Sequence, residues 1–197
     1  MAYPESLRGN RNGGFCCGPA PAEGIQGVDD LNGVIDALIH DARIYLAGVS
    51  NGAVMGYRFV CDQATGIAGI ASVAGAMVPD ECRPTKAFSV LEITTPPTTW
   101  CRGGELADFT HGTRPAASSV EVVQFWAAMN GCPQPTSRTE GRVTTTGWRG
   151  CRDDTSVSLV TIEGAGPTWY ASEFGPIQGA LNAPATIIDF FNLSRRP

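Results

Sequence analysis

The pentapeptide Gly48-Val49-Ser50-Asn51-Gly52 sets a serine between two glycines. It follows a short apolar run, "RIYLAG" (43–48), and opens "NGAVMGYRFVCDQA" (51–64), whose apolar spacing fits a helix. Such a pattern predicts a tight strand-to-helix turn with the serine hydroxyl lifted to its apex. The flanking glycines allow neighbouring backbone to approach without a Cβ clash. A serine presented this way can attack an acyl carbon, and the N–H of Asn51 at the helix start can hold the developing oxyanion. Five residues are a weak signal in a chain with 24 glycines. The strand before and the helix after give it weight.

A nucleophilic serine needs a base, and the chain has two histidines. His40 precedes the 43–48 strand, which puts it at the opposite edge from Ser50; its plain reading is a charge interaction at a helix C-terminus. His111, in "ADFTHGTRP", is the candidate base, with Asp108 three residues before it. Its plain reading is an exposed loop histidine, with Asp108 and Glu105 as solvated carboxylates. Glu163 follows a strand and could approach the site, although a single glutamate there is more often structural. Trp148, Trp169 and Tyr170 could line an acyl or phenolic pocket or simply pack in the core.

These residues need a scaffold. Val28 to Ile39 carries a helix-period apolar stripe, and "GIAGIASVAGAM" (66–77) and "AFSVLEIT" (87–94) contain buried strands. Ser118 to Met129 reads as a helix stopped by Asn130-Gly131. "RVTTTGW" and "VSLVTIEG" (157–164) follow as strands, and "APATIIDFFNL" closes the chain as a helix with Pro184 near its start. Residues 8–24, rich in Gly, Pro and Asn, form a loop that carries Cys16 and Cys17. Apolar strands alternating with helices predict an α/β protein: a mostly parallel sheet with helices on both faces, in one domain over 1–197. The site then lies beyond the carboxyl ends of the strands, where Ser50, Thr94 and Gly164 fall.

Composition narrows the function. A net charge of −5, with no basic block longer than Arg195-Arg196, argues against nucleic acid or an acidic membrane as partner. No apolar run approaches the ~20 residues of a membrane span, and the N-terminus lacks the layout of a signal peptide. Seven cysteines without a CxxC pair predict disulfides and an oxidising compartment rather than a metal site.

The segments "AYPES…NGGFCCGPA", "GVDDLNGVIDAL", "RIYLAGVSNGAVMGYRFVCD", "FWAAMNGC" and "VSLVTIEGAG" occur in one order that resembles a known family. It is the polyhydroxybutyrate-depolymerase and feruloyl-esterase group of secreted α/β-hydrolases. The likeness runs from about Tyr3 to Gly166 and is most specific around Ser50. It implies an extracellular protein hydrolysing hydroxyalkanoate or hydroxycinnamate esters, small or polymeric, through an acyl-enzyme on Ser50, with no cofactor.

The chain departs from that family in three places. Where the family has His-Gly-Thr-Ala-Asp, it reads "ITTPPTTWCRGG", without a carboxylate from Thr94 to Gly104. Where the family has its catalytic histidine, it has Pro167, which cannot take a proton. The resemblance also implies three strands before an "AYP" strand, so the chain is expected to lack the first strands of the fold. Their loss would leave the 43–48 strand with an open apolar edge and favour self-association. An adjacent frame of GC-rich codons for Thr-Thr-Pro-Pro-Thr-Thr-Trp-Cys could read His-His-Ala-Ala-Asp-Asp-Val-Val, close to the family's acid loop. The alternative to an esterase is therefore a catalytically inactive pseudoenzyme, a binding module, or a truncated or frameshifted gene product. With Cys101 set aside as part of that segment, Cys132 and Cys151 form one bridge, and 16, 17, 61 and 82 pair in one of three ways.

Overall fold

The computed structural model describes residues 1–6, 9–14, 19–38, 43–62, 66–96, 116–165, 170 and 180–192. In chain order the elements are α1 (Gly27–Leu38), β1 (Ile44–Val49), α2 (Asn51–Asp62), β2 (Ile67–Val73), β3 (Ser89–Thr94), α3 (Ser119–Met129), β4 (Thr136–Glu140), β5 (Val143–Trp148), β6 (Val157–Ile162) and α4 (Ala183–Phe190). The sheet runs β1-β2-β3-β6-β5-β4. β1, β2, β3 and β6 are parallel, and β5 and β4 are added as an antiparallel hairpin. This is an α/β fold with a mostly parallel sheet, as the alternation of apolar strands and helices predicts.

The central strands are apolar on both sides because both sides are covered. One face carries Ile70, Val90, Val157 and Leu159 against Met55, Tyr57 and Phe59 of α2 and Trp126 of α3, with Leu31 and Ile35 of α1 packed outside. The other carries Val73, Leu91, Ile93 and Val160 against Ile187 of α4 and Phe191. Phe191 lies directly on β2: a Cβ at Gly69 would sit 2.5 Å from its ring. Its ring centroid is 4.5 Å from that of Tyr45.

Local signals explain the helix ends. Ser118 and Glu121 form a full capping box at the start of α3, satisfying donors that a helix N-terminus leaves without partners. At its end Gly131 takes φ +61°, the left-handed stop read from Asn130-Gly131. Asn182 caps α4 through the Ala185 N–H, and Pro184 follows within the first turn.

Two expectations need correction. Residues 1–6, including "AYP", form no strand. β1 is consequently the last strand of the sheet and is paired only with β2 among the described residues. β4, which the apolar pattern did not suggest, pairs with β5, and all five of its residues are exposed. Its partners are hydroxyls, Ser137 with Thr146 and Thr139 with Thr144 at 2.8 and 2.9 Å. A strand without a buried face leaves no alternating pattern to read.

Disulfides join Cys132 to Cys151 and Cys61 to Cys82. The first is the pair expected from sequence, and the second realises one of the three open pairings. Cys132–Cys151 closes a separation of 19 residues and ties the end of α3 to the β5–β6 turn. Loop closure of that length stabilises by roughly 3 kcal/mol, chiefly by restricting the unfolded chain. Replacing both cysteines by serine is expected to lower the free energy of unfolding by about that much in urea titration. A loss below about 0.5 kcal/mol would show that the bridge restrains little.

Candidate active site

The chain between β1 and α2 is governed by one close approach. A Cβ at Gly48 would lie 2.4 Å from the carbonyl carbon of Gly52 and 2.7 Å from the Ala53 nitrogen. The first turn of α2 therefore rests on the backbone of β1, and only glycine fits at position 48. At Gly52 a Cβ would meet no described atom within 4 Å. The two glycines of the motif are thus not equivalent: the first permits the turn, and the second leaves space beside it.

Ser50 stands at the corner. It is exposed and holds φ +50°, a region that non-glycine residues enter at a cost. Its N–H extends the parallel ladder by donating to the Val73 carbonyl at 2.9 Å. Its own carbonyl accepts the N–H groups of Ala53 and Val54 at 3.0 and 3.1 Å, which starts α2. The N–H of Asn51 lies in this first turn, where backbone donors lack intrahelical acceptors and the helix dipole favours negative charge.

The Asn51 side chain is held from outside. Its Oδ1 accepts the Arg11 N–H at 2.8 Å, and its Nδ2 donates to the Arg11 carbonyl at 2.9 Å. The next residue, Asn12, is nearly buried; its Oδ1 accepts from Arg58 Nη1 at 2.6 Å and from Gly14 N–H at 3.0 Å. Residues 11–14 are thereby fixed along the first two turns of α2. This clamp joins positions forty residues apart and has no local sequence signature.

A buried polar group lies beneath the corner. Gly48, Ser72 and Glu92 occupy one register across β1, β2 and β3. Ser72 and Glu92 are fully buried. Tyr57 of α2 donates its hydroxyl to Glu92 Oε2 at 2.6 Å. Neither Glu92 Oε1 nor Ser72 Oγ makes a hydrogen bond of normal geometry. Burial pushes the Glu92 carboxyl from 4.5 up to about 8, although the hydroxyls of Tyr57, Ser72 and Ser119 and the Gly75 N–H favour the charged form. Tyr57 is in turn held well above its usual value by burial and by Glu92. Sequence reading passed over Glu92, and the available signal was a carboxylate inside "SVLEIT", a strand otherwise apolar on both faces.

Of the other candidates, Glu163 follows β6, is exposed, and donates its N–H to the Arg142 carbonyl. With Thr95, Pro96, Arg142 and Thr161 it lines a cleft of about 400 Å³ at the carboxyl ends of β3 and β6. Trp148 packs against the α2–α3 core, and Tyr170 is buried in the α4 core. Tyr170 therefore packs in the interior, whereas half-buried Trp148 also lines a cleft of about 760 Å³ with Thr145, Val157 and Phe190. His111, His40, Asp108, Glu105, Pro167 and Trp169 lie outside the described residues. Ser50 and Asn51 are thus brought together at one corner, and the rest of a charge-relay arrangement is not among the described residues.

No family model matches the chain. It is 28% identical over 200 residues to a protein of Nocardia uniformis subsp. tsuyamanensis named "Putative esterase NocK". The match covers 83% of this chain and 56% of that protein, so the chain spans little more than half of its relative's length. This likeness supports an esterase-like family in general terms and goes no finer than that.

The buried carboxyl has a measurable consequence. Below pH 4.5 folded and unfolded chains both carry the Glu92 proton. From pH 4.5 to about 8 the unfolded chain releases it and the folded chain keeps it. Stability therefore falls as pH rises through that window, by roughly 3–5 kcal/mol in all, and levels off above it. Glu92→Gln is expected to remove this slope, being more stable than wild type at pH 8 and close to it at pH 4 in urea titrations. A difference of equal size at both pH values would contradict the assignment.

Proposed function

We propose that the chain carries the nucleophile corner of a serine carboxylic-ester hydrolase, with Ser50 attacking the acyl carbon and the Asn51 N–H holding the oxyanion. The observation that carries this reading is the exposed, left-handed Ser50 between the carboxyl end of β1 and the start of α2. A backbone cost at an exposed hydroxyl, beside free helix donors, is the arrangement acyl transfer uses. The likeness to an esterase-named protein supports the same reaction class. No metal or redox group enters the proposed step. Ser50 Oγ bonds to the acyl carbon as the ester C–O bond breaks and the alcohol leaves with the serine's proton; water then cleaves the acyl–Ser50 bond, releasing the acid and restoring the hydroxyl.

The finer reading takes hydroxyalkanoate or hydroxycinnamate esters as substrates, with His111 as base. It rests on the resemblance around Ser50. An extracellular setting fits the two disulfides, and no described helix is long and apolar enough to cross a membrane. The alternative, an inactive relative or binding module, is favoured by Pro167 where the resembled family has histidine.

p-Nitrophenyl butyrate hydrolysis and fluorophosphonate labelling separate the two. An esterase is expected to lose its turnover by at least about a thousandfold on Ser50→Ala, and by a similar factor on His111→Ala if that imidazole is the base. Labelling of Ser50 without turnover, with turnover restored by Pro167→His, would mark a protein lacking only its base. No labelling at any pH would remove the esterase reading altogether.

The open edge of β1 is the proposed route of self-association. Its sequence, "IYLAGV", carries no charge to discourage strand pairing. Light scattering coupled to sizing is expected to show dimers or larger species that dissociate when Ala47, the exposed residue of β1, is replaced by lysine. A monomer at high concentration would argue against it.

A further inference from the structure

The carboxyl of Glu92 lies in the floor of the corner rather than at its mouth. Gly48, Ser72 and Glu92 form a row across β1, β2 and β3, and the first half of α2 is seated on that row. The Gly52 carbonyl and Ala53 nitrogen lie on Gly48, and Tyr57 reaches Glu92 one and a half turns further along. Gly75, which follows β2, closes over the middle of the row. A Cβ there would lie 2.3 Å from Ser72 Oγ and 2.6 Å from the Ala53 side chain. The space above Ser72 is thus filled, and Glu92 beside it is fully buried.

We propose that Glu92 is a positioning residue for the Ser50 corner: its buried carboxyl seats the first turns of α2 through Tyr57, and on ionisation the water that its charge draws in unseats them. The groups facing it are Tyr57 from α2, Ser72 from β2, Gly75 from the following loop and Ser119 from α3, with the charge of Glu92 also felt at Tyr170. None of these is a cation. A carboxylate formed here would find only hydroxyl and amide donors, in a close-packed interior where an unpaired charge is expensive. The element to yield is α2, at the expense of its Arg11 and Asn12 contacts, because its first turn ends at an exposed corner while β2 and β3 are paired on both sides. Its movement would displace the Asn51 N–H and Ser50 together.

The seating role stands on the packing alone; its bearing on reactivity rests on the esterase reading of Ser50. The two are tested separately. Hydrogen exchange over residues 51–57, referred to intrinsic rates at each pH, reports the seat. Fluorophosphonate labelling reports Ser50. For a carboxyl titrating at about 8, the protonated fraction falls about thirtyfold between pH 7 and 9.5. Wild-type protection is expected to fall at least about tenfold over that range, with labelling falling alongside. In Glu92→Gln, which keeps an acceptor for Tyr57, the pH 7 to 9.5 ratio is expected to stay within about twofold for both. Tyr57→Phe removes a hydrogen bond that favours the charged form, so it should move the decline to higher pH.

Parallel loss of protection in wild type and Glu92→Gln would overturn the proposal. So would a decline in Tyr57→Phe that does not move, which decides the matter even if the glutamine variant fails to fold. Loss of protection without any change in the labelling profile would overturn the link to Ser50. Absence of labelling in every variant would remove the esterase reading and leave the exchange data to decide the seat.

Discussion

The backbone contact between Gly48 and Gly52 is the constraint on which the rest of the site depends. With less than 3 Å available for a Cβ at position 48, the chain must reverse from strand to helix within two residues. Ser50 absorbs that reversal by entering the left-handed region, a cost on the order of 1–2 kcal/mol for an L-residue. The neighbouring hydrogen bonds offset it. The Ser50 N–H stays on the β1–β2 ladder, and the Ser50 carbonyl begins α2. The hydroxyl is exposed because both backbone groups of its residue are committed inward. The exposed, left-handed serine at this corner is a by-product of packing a helix directly against the strand that precedes it.

Around that contact two further layers restrain the helix. From outside, the Arg11 backbone grips the Asn51 amide and Asn12 engages Arg58, so rotation of α2 about its axis would break hydrogen bonds in two successive turns. From below, the floor row meets Ala53 and Tyr57. An aliphatic side chain at position 92 would cost less to bury than a carboxyl. It would not, however, hold the Tyr57 hydroxyl, which would then be an orphaned donor in the core. The polar pair is an all-or-none arrangement, and it lies under the helix that begins at the Ser50 corner.

Much of this was legible in the residues. The parallel strands are continuous apolar runs, the α3 start is a Ser-x-x-Glu capping box, and Gly48 and Ser50 identify their own corner. What escaped notice had no local pattern to give it away. β4 is held by hydroxyl pairs with its hairpin partner and buries nothing, so its sequence "TSRTE" lacks alternation. The Asn51–Arg11 clamp is made by backbone groups that every residue possesses. Glu92 was visible as a charge within an apolar run, but its meaning depended on Tyr57, thirty-five residues earlier and on the opposite side of a β-α crossing. The strand at "AYP" was implied by the resemblance alone, yet residues 1–6 form none, and pairing rather than propensity makes a strand.

The two margins of the sheet are built on opposite principles. The β4 margin is fully exposed and carries an Arg138–Glu140 ion pair and rows of hydroxyls, features that discourage a further strand from adding. The β1 margin is apolar and partly covered, and without charge. An incoming strand therefore has one favourable side, and that side is the strand that ends in Ser50. β1 ends at Val49, one residue before Ser50, so a strand paired along its full length would run up to the corner. A second donor for an oxyanion, if the chemistry needs two, has to come from a backbone near that place, because the Asn51 N–H supplies only one. If a pairing strand supplied that backbone, closing the sheet edge and completing the proposed site would be one event.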